Sequence, residues 1–81
     1  PEWHIRSATI VEIISLGYRE SIPELRNILK EEKNPSVKAT AAIALGEFQD
    51  KDSTLELVKL LNDKSIPTDA IIDALKRMQD P

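Results

Sequence analysis

The side chains that could do chemistry in this 81-residue chain are few. His4 is the only histidine, and beside Trp3 it could act as a general base or as part of a stacking site. A catalytic histidine needs a partner that orients it, and no serine or carboxylate position suggests one. We therefore expect Trp3 and His4 to be a first-turn pair that covers the amino-terminal end of the fold.

Asp69 and Asp73 are four residues apart, so they share a helix face and could bind a divalent cation together. Such cations need several oxygen ligands arranged around them, and Arg77 follows Asp73 by another four residues. The spacing therefore favours an Asp73–Arg77 ion pair, with Asp69 supporting a helix N-terminus.

The chain has no cysteine, and its two glycines are isolated, so thiolate chemistry and a phosphate-binding loop are excluded. We predict no catalytic residue, no metal and no cofactor.

The charge balance limits the classes of partner. The 11 basic residues face 14 acidic ones, which gives a net charge of −3. The basic residues are dispersed from Arg6 to Arg77, whereas a protein that binds duplex nucleic acid normally carries a basic stripe. No apolar run is long enough to span a bilayer, and no signal peptide is visible. These features predict a cytoplasmic protein that binds neither nucleic acid nor membrane.

Apolar residues recur at intervals of three and four, which predicts five helices. The predicted helices cover about residues 3–16, 22–32, 34–48, 53–61 and 65–78. Gly17 is predicted to cap the first helix, and Asn34 with Pro35 to start the third. Two capping boxes are predicted where a serine precedes a glutamate by three residues, at Ser21–Glu24 and Ser53–Glu56. The first helix carries an apolar stripe at Ile5, Thr9, Ile13 and Leu16.

The chain repeats itself with a period of 30–32 residues. A shift of 32 places Ile5 on Val37, Ile13 on Leu45, and one capping box on the other, and a shift of 30 places Ala44-Leu45 on Ala74-Leu75. Two helices per unit at this period are typical of an α-solenoid. We predict one domain over residues 1–81, with repeats at about 1–33 and 34–64 and a partial repeat at 65–81. Because solenoid units bury their apolar faces against neighbours, we expect either a longer array or self-association.

Residues 35–50, PSVKATAAIALGEFQD, carry a family resemblance. They resemble the first helix of a HEAT-like repeat of the short phycobilisome-lyase type, whose pattern includes Asp-Pro-x-Val-Arg, a run of alanines and Ala-Leu-Gly. The resemblance implies an all-α, right-handed superhelix of about five antiparallel helices in two and a half repeats. It also implies that Arg6 and Lys38, at the basic position of the family, and Asp50 and Asp80, at the acidic position, link adjacent repeats. Gly46 is expected to allow close packing between helices.

The resemblance implies a non-catalytic scaffold for protein–protein interaction. The alternatives are an accessory or regulatory domain of a larger lyase-type enzyme complex and, more weakly, nucleic-acid binding. In HEAT arrays the second helices usually line the concave face. The outward positions of these helices would then form the protein-binding surface, namely Glu24, Asn27, Glu31, Glu56, Lys59 and Asp63. Four of the six are acidic, which suggests a basic protein or peptide partner, although a solvated helix face has the same pattern.

Overall fold

The computed structural model describes residues 2–79, and over that range the chain is all-α. Five α-helices follow one another, with a 3₁₀ turn before the second and before the fourth. The helices are α1 (Glu2–Leu16), α2 (Ile22–Glu31), α3 (Pro35–Glu47), α4 (Thr54–Leu60) and α5 (Thr68–Gln79), and the turns are Arg19–Ser21 and Lys51–Ser53. The predicted all-α, HEAT-like class is confirmed.

The first helix of each complete repeat ends in the same way. Gly17 has a φ of +64°, its N–H donates to the Ile14 carbonyl at 3.0 Å, and the Tyr18 N–H donates to the Ile13 carbonyl at 3.1 Å. These two bonds define a Schellman motif, which favours glycine at the left-handed position. The predicted Gly17 cap is therefore confirmed. The same pair of bonds recurs 32 residues later around Gln49, which takes a φ of 54°.

The helix starts confirm one predicted cap and overturn two. Asn34 caps α3, because its Oδ1 accepts from the N–H groups of Ser36 at 2.9 Å and Val37 at 3.3 Å. The capping boxes at Ser21 and Ser53 are wrong, since neither hydroxyl bonds to the helix end. Both serines close a 3₁₀ turn, with φ of −84° and −89° and ψ of −2°. A capping hydroxyl needs an extended backbone at this position, so these serines cannot fill the role.

Helix α3 lies at the centre of the fold and packs against α1, α2 and α5. Its Val37, Ala41 and Leu45 are fully buried. A Cβ added to Gly46 would lie 2.7 Å from the Ala74 Cα of α5, a separation that atoms of packed helices do not reach. The expectation that Gly46 allows a close helix approach is therefore confirmed.

Helix α1 packs on α3 through Ile10, with Trp3 and Ile14 partly buried beside it. The apolar stripe that the sequence spacing predicted lies on a different face of α1. Its ends, Ile5 and Leu16, are 68% and 72% exposed. Helix α1 therefore has two apolar faces, of which the described fold covers one.

Candidate functional site

A partly buried ion pair joins α2 to the segment between α3 and α4. Arg26 of α2 donates to both carboxylate oxygens of Asp50 at 2.6 and 2.7 Å, and the Ser53 hydroxyl donates to the same carboxylate at 2.6 Å. The Arg26 and Ser53 bonds hold the pKa of Asp50 below its ordinary value. Because Arg26 belongs to the first repeat and Asp50 to the second, the predicted linking role of Asp50 is confirmed. Asp80 lies outside the described residues.

Arg6 forms its ion pair within a repeat, which corrects the expectation for this residue, whereas the linking role of Lys38 stays a prediction. Arg6 makes a bidentate bond to Glu32 at 2.7 and 2.9 Å, and both residues belong to the first repeat. The pKa of Asp63 is lowered mainly by its bonds to Ser65 and further by the charge of Lys38. The physical reason is the hairpin: the start of each first helix lies beside the end of the helix that follows it.

Three of the six predicted surface residues lie together on α2. Glu24, Asn27 and Glu31 are all exposed. Glu24 and Asn27 line a cavity of about 280 Å³ between α1 and α2. Asn27 and Glu31 line a wider depression beside Arg6. These polar residues therefore lie at the rim of the apolar groove between α1 and α2.

The other three predicted residues do not extend that row as one cluster. Glu56 is half-buried, and Lys59 approaches it within 3.7 Å. The Asp63 carboxylate accepts from the Ser65 N–H at 2.9 Å and the Ser65 hydroxyl at 2.6 Å. The Asp63 carboxylate is thus bound within the turn after α4. Lys59 is exposed on α4, and Glu56 lines the groove between α2 and α4.

Two apolar residues of this surface were missed by sequence reasoning. Leu55 and Val58 on α4 are 65% and 44% exposed. Leu55 also lines a groove of about 140 Å³ between α2 and α4, together with Arg26, Leu29, Lys30, Asp52, Ser53 and Glu56. The sequence does contain a pattern that could have predicted them, because Leu55, Val58 and Leu61 form a second apolar stripe beside Leu57 and Leu60. A seven-residue helix at the edge of a small fold buries only one such stripe.

A family comparison fits this architecture. The sequence model of HEAT repeats matches residues 1–76. The chain belongs to the HEAT-repeat family. HEAT repeats generally serve as scaffolds for protein interaction and are typically non-catalytic. No curated protein and no solved structure matches the chain, and the phycobilisome-lyase subtype stays a prediction.

The side chains that were first considered for chemistry make contacts with neighbouring side chains in this HEAT domain. The rings of Trp3 and His4 stack with centroids 3.6 Å apart, at the start of α1. Asp73 accepts from Arg77 at 2.9 Å, as predicted, and Arg77 also lies 2.9 Å from Glu47. Within residues 2–79 no three acidic or histidine side chains are grouped so that they could hold a metal ion. None of the helices in that range has the length and apolar character needed to cross a membrane.

Proposed function

We propose that this HEAT domain binds a basic segment of a partner protein across the exposed side of α2 and α4. This second-helix surface comprises Glu24, Asn27, Lys30, Glu31, Asp52, Leu55, Glu56, Val58 and Lys59. The observation that carries the proposal is the exposed pair Leu55 and Val58 set among carboxylates. The partner would place apolar side chains on the pair and basic side chains around it.

The charge of the second-helix surface supports a basic partner. Asp50 already neutralises Arg26. The remaining carboxylates, Glu24, Glu31, Asp52 and Glu56, outnumber the lysines Lys30 and Lys59. A surface with excess negative charge accelerates association with cationic segments and disfavours anionic ones. The same excess opposes contact with the phosphates of nucleic acid.

The apolar pair supplies the affinity that exposed charges alone do not. Surface ion pairs contribute about 0–1 kcal/mol each, whereas full burial of a leucine or valine side chain contributes about 1.5–3 kcal/mol. Leu55 and Val58 are on one face of α4, three residues apart, so one partner segment can cover both. The Arg26–Asp50 pair ties α2 to the segment that leads into α4, which limits the ordering cost on binding.

Fluorescence anisotropy with labelled peptides tests the proposal. The probe is a peptide with lysines and arginines around two leucines, and its control carries glutamates in place of the basic residues. We expect the wild-type domain to bind the basic peptide and to ignore the acidic one. The Glu24→Lys/Glu56→Lys variant should weaken binding by about tenfold, equal to 1.4 kcal/mol, and Leu55→Ser should weaken it at unchanged charge.

A matched variant separates local from overall charge. Glu12→Lys/Asp69→Lys likewise replaces two carboxylates by lysines, so each double variant changes the net charge by +4, from −3 to +1. The matched variant should retain binding because its residues lie on α1 and α5. Equal loss in both variants would show a non-specific charge effect. Absence of binding to the basic peptide, or tighter binding to duplex DNA, would overturn the proposal.

A further inference from the structure

The second-helix surface contains a groove of about 140 Å³ between α2 and α4. Its apolar part is formed by Leu29 of α2, which is almost fully buried, and by Leu55 of α4, which is mostly exposed. Two carboxylates, Asp52 and Glu56, line the same groove. The groove therefore offers an apolar surface and two acidic groups to a single side chain of a partner.

Each of these carboxylates keeps an oxygen that can accept a new bond. Asp52 accepts from Arg26 through Oδ2 at 3.2 Å, and its side chain is 83% exposed. Lys59 Nζ lies 3.7 Å from Glu56 Oε1, which is longer than a hydrogen bond. Among residues 2–79 no donor bonds to Asp52 Oδ1 or to Glu56 Oε2.

The basic residues of the groove leave it an excess of negative charge. Arg26 lines the groove, but its charge is offset by Asp50, to which it donates two bonds. Lys30 also lines the groove and is exposed, and within the described part of the chain it pairs with neither carboxylate. Two carboxylates thus face one lysine, a balance that favours a cationic side chain over an anionic one.

We infer that this groove binds one lysine side chain of the basic partner segment and selects lysine over arginine. The inference rests on the proposed function and adds a specific subsite to it. The methylene groups of the lysine lie along Leu29 and Leu55, as the stems of long cationic side chains do on apolar surfaces. Its ammonium group donates to the available oxygens of Asp52 and Glu56.

The preference for lysine follows from the oxygens that each cation needs. Arginine presents a planar fork, which binds best when both oxygens of one carboxylate are available. In this groove Asp52 already shares one oxygen with Arg26, and Lys59 lies beside one oxygen of Glu56. A lysine ammonium has three rotatable donors. It can therefore bind single oxygens of two different residues.

Two forms of the leucine-containing peptide, compared by fluorescence anisotropy, test the inference. In one form every basic residue is lysine, and in the other every basic residue is arginine, so the two forms have the same net charge. The proposed function predicts that the wild-type domain binds both forms. We expect the lysine form to bind about fivefold more tightly, equal to about 1 kcal/mol.

Two matched variants of the domain locate the source of this preference. Asp52→Asn removes one acceptor carboxylate with almost no change in side-chain size, and we expect it to abolish the preference for the lysine form. Glu20→Gln is the control, because Glu20 is the equivalent of Asp52 in the first repeat and is exposed outside the groove. It changes the net charge by the same amount and should keep the preference.

The outcomes separate the subsite from the proposed function. Equal affinity of the wild-type domain for the two forms would overturn the lysine subsite and leave the proposed function in place. A preference that persists in Asp52→Asn, or that disappears equally in Glu20→Gln, would also overturn the subsite, because the groove would not be its source. Binding of neither form would refute the proposed function and the subsite together.

Discussion

The close approach of α3 and α5 at Gly46 gives the most quantitative prediction. In Gly46→Ala the new methyl carbon would lie 2.7 Å from the Cα, 2.8 Å from the Cβ and 3.2 Å from the carbonyl oxygen of Ala74. The ordinary separation of two packed carbon atoms begins at about 3.5 Å. Two of the three atoms are backbone and cannot rotate away, so α3 and α5 must separate or shift by most of an ångström.

Two opposing effects set the change in the free energy of unfolding that Gly46→Ala should cause. Alanine gains about 1 kcal/mol over glycine in helix propensity, and overpacking costs about 1–3 kcal/mol. Because the clash involves backbone, we use the upper part of that range and expect a net loss of about 1–2 kcal/mol. One kcal/mol shifts the Tm of a domain of this size by about 4–8 °C. The expected decrease in Tm is therefore about 5–15 °C, and Gly46→Leu should unfold the domain, whose total stability is about 4–12 kcal/mol.

Thermal and urea denaturation followed by circular dichroism measure both variants. The double variant Gly46→Ala/Ala74→Gly is informative, because it relieves the clash with the side chain of residue 74 and leaves the clash with its backbone. We expect it to recover only part of the loss. A Gly46→Ala variant as stable as the parent, or a Gly46→Leu variant that folds, would refute the close-packing account of Gly46.

The ion pair and the helix caps give three further predictions. Asp50→Ala should lower the free energy of unfolding by about 1–3 kcal/mol, because it leaves the buried Ser53 hydroxyl without its acceptor; urea denaturation at pH 7 checks this, and an unchanged midpoint would contradict it. The pKa of Asp50 is lowered in the fold, so its stabilising effect is complete above its unfolded pKa of about 4 and is lost as the pH falls through the folded value; the stability of Asp50→Asn should accordingly decrease less between pH 7 and pH 3 than that of the parent, and parallel curves would exclude this cause. Asn34→Ala should cost about 1 kcal/mol whereas Ser21→Ala should cost little, and equal losses would restore the capping box at Ser21.

Much of the fold was predictable because it depends on local chemistry and on the internal repeat. The Asn34–Pro35 start, the Gly17 end and the close approach at Gly46 each follow from one residue type in one conformation. The capping boxes failed because the sequence does not reveal that a 3₁₀ turn already places Ser21 and Ser53 in helical backbone. The linking role was right for Asp50 and wrong for Arg6, since hairpin geometry decides which carboxylate a basic side chain reaches.

The candidate site was less predictable, since it depends on which of two apolar stripes is covered. Spacing alone could not distinguish the Ile10 face of α1 from the Ile5 face. It also could not show that Leu55 and Val58 on α4 would remain exposed. The exposure of Glu24 and Asn27 was predictable, because a polar outer helix face is visible in the sequence. Asp63 was assigned to the same surface, although its carboxylate serves the turn at Ser65.

A charge-exchange binding measurement tests the central claim most directly. The Glu24→Lys/Glu56→Lys variant is titrated with the acidic form of the leucine-containing peptide, which the parent domain should not bind. If the second-helix surface selects its partner by local charge around Leu55 and Val58, the variant should bind the acidic peptide and Glu12→Lys/Asp69→Lys should not. Equal binding of the acidic peptide by both variants, or by neither, would contradict the claim.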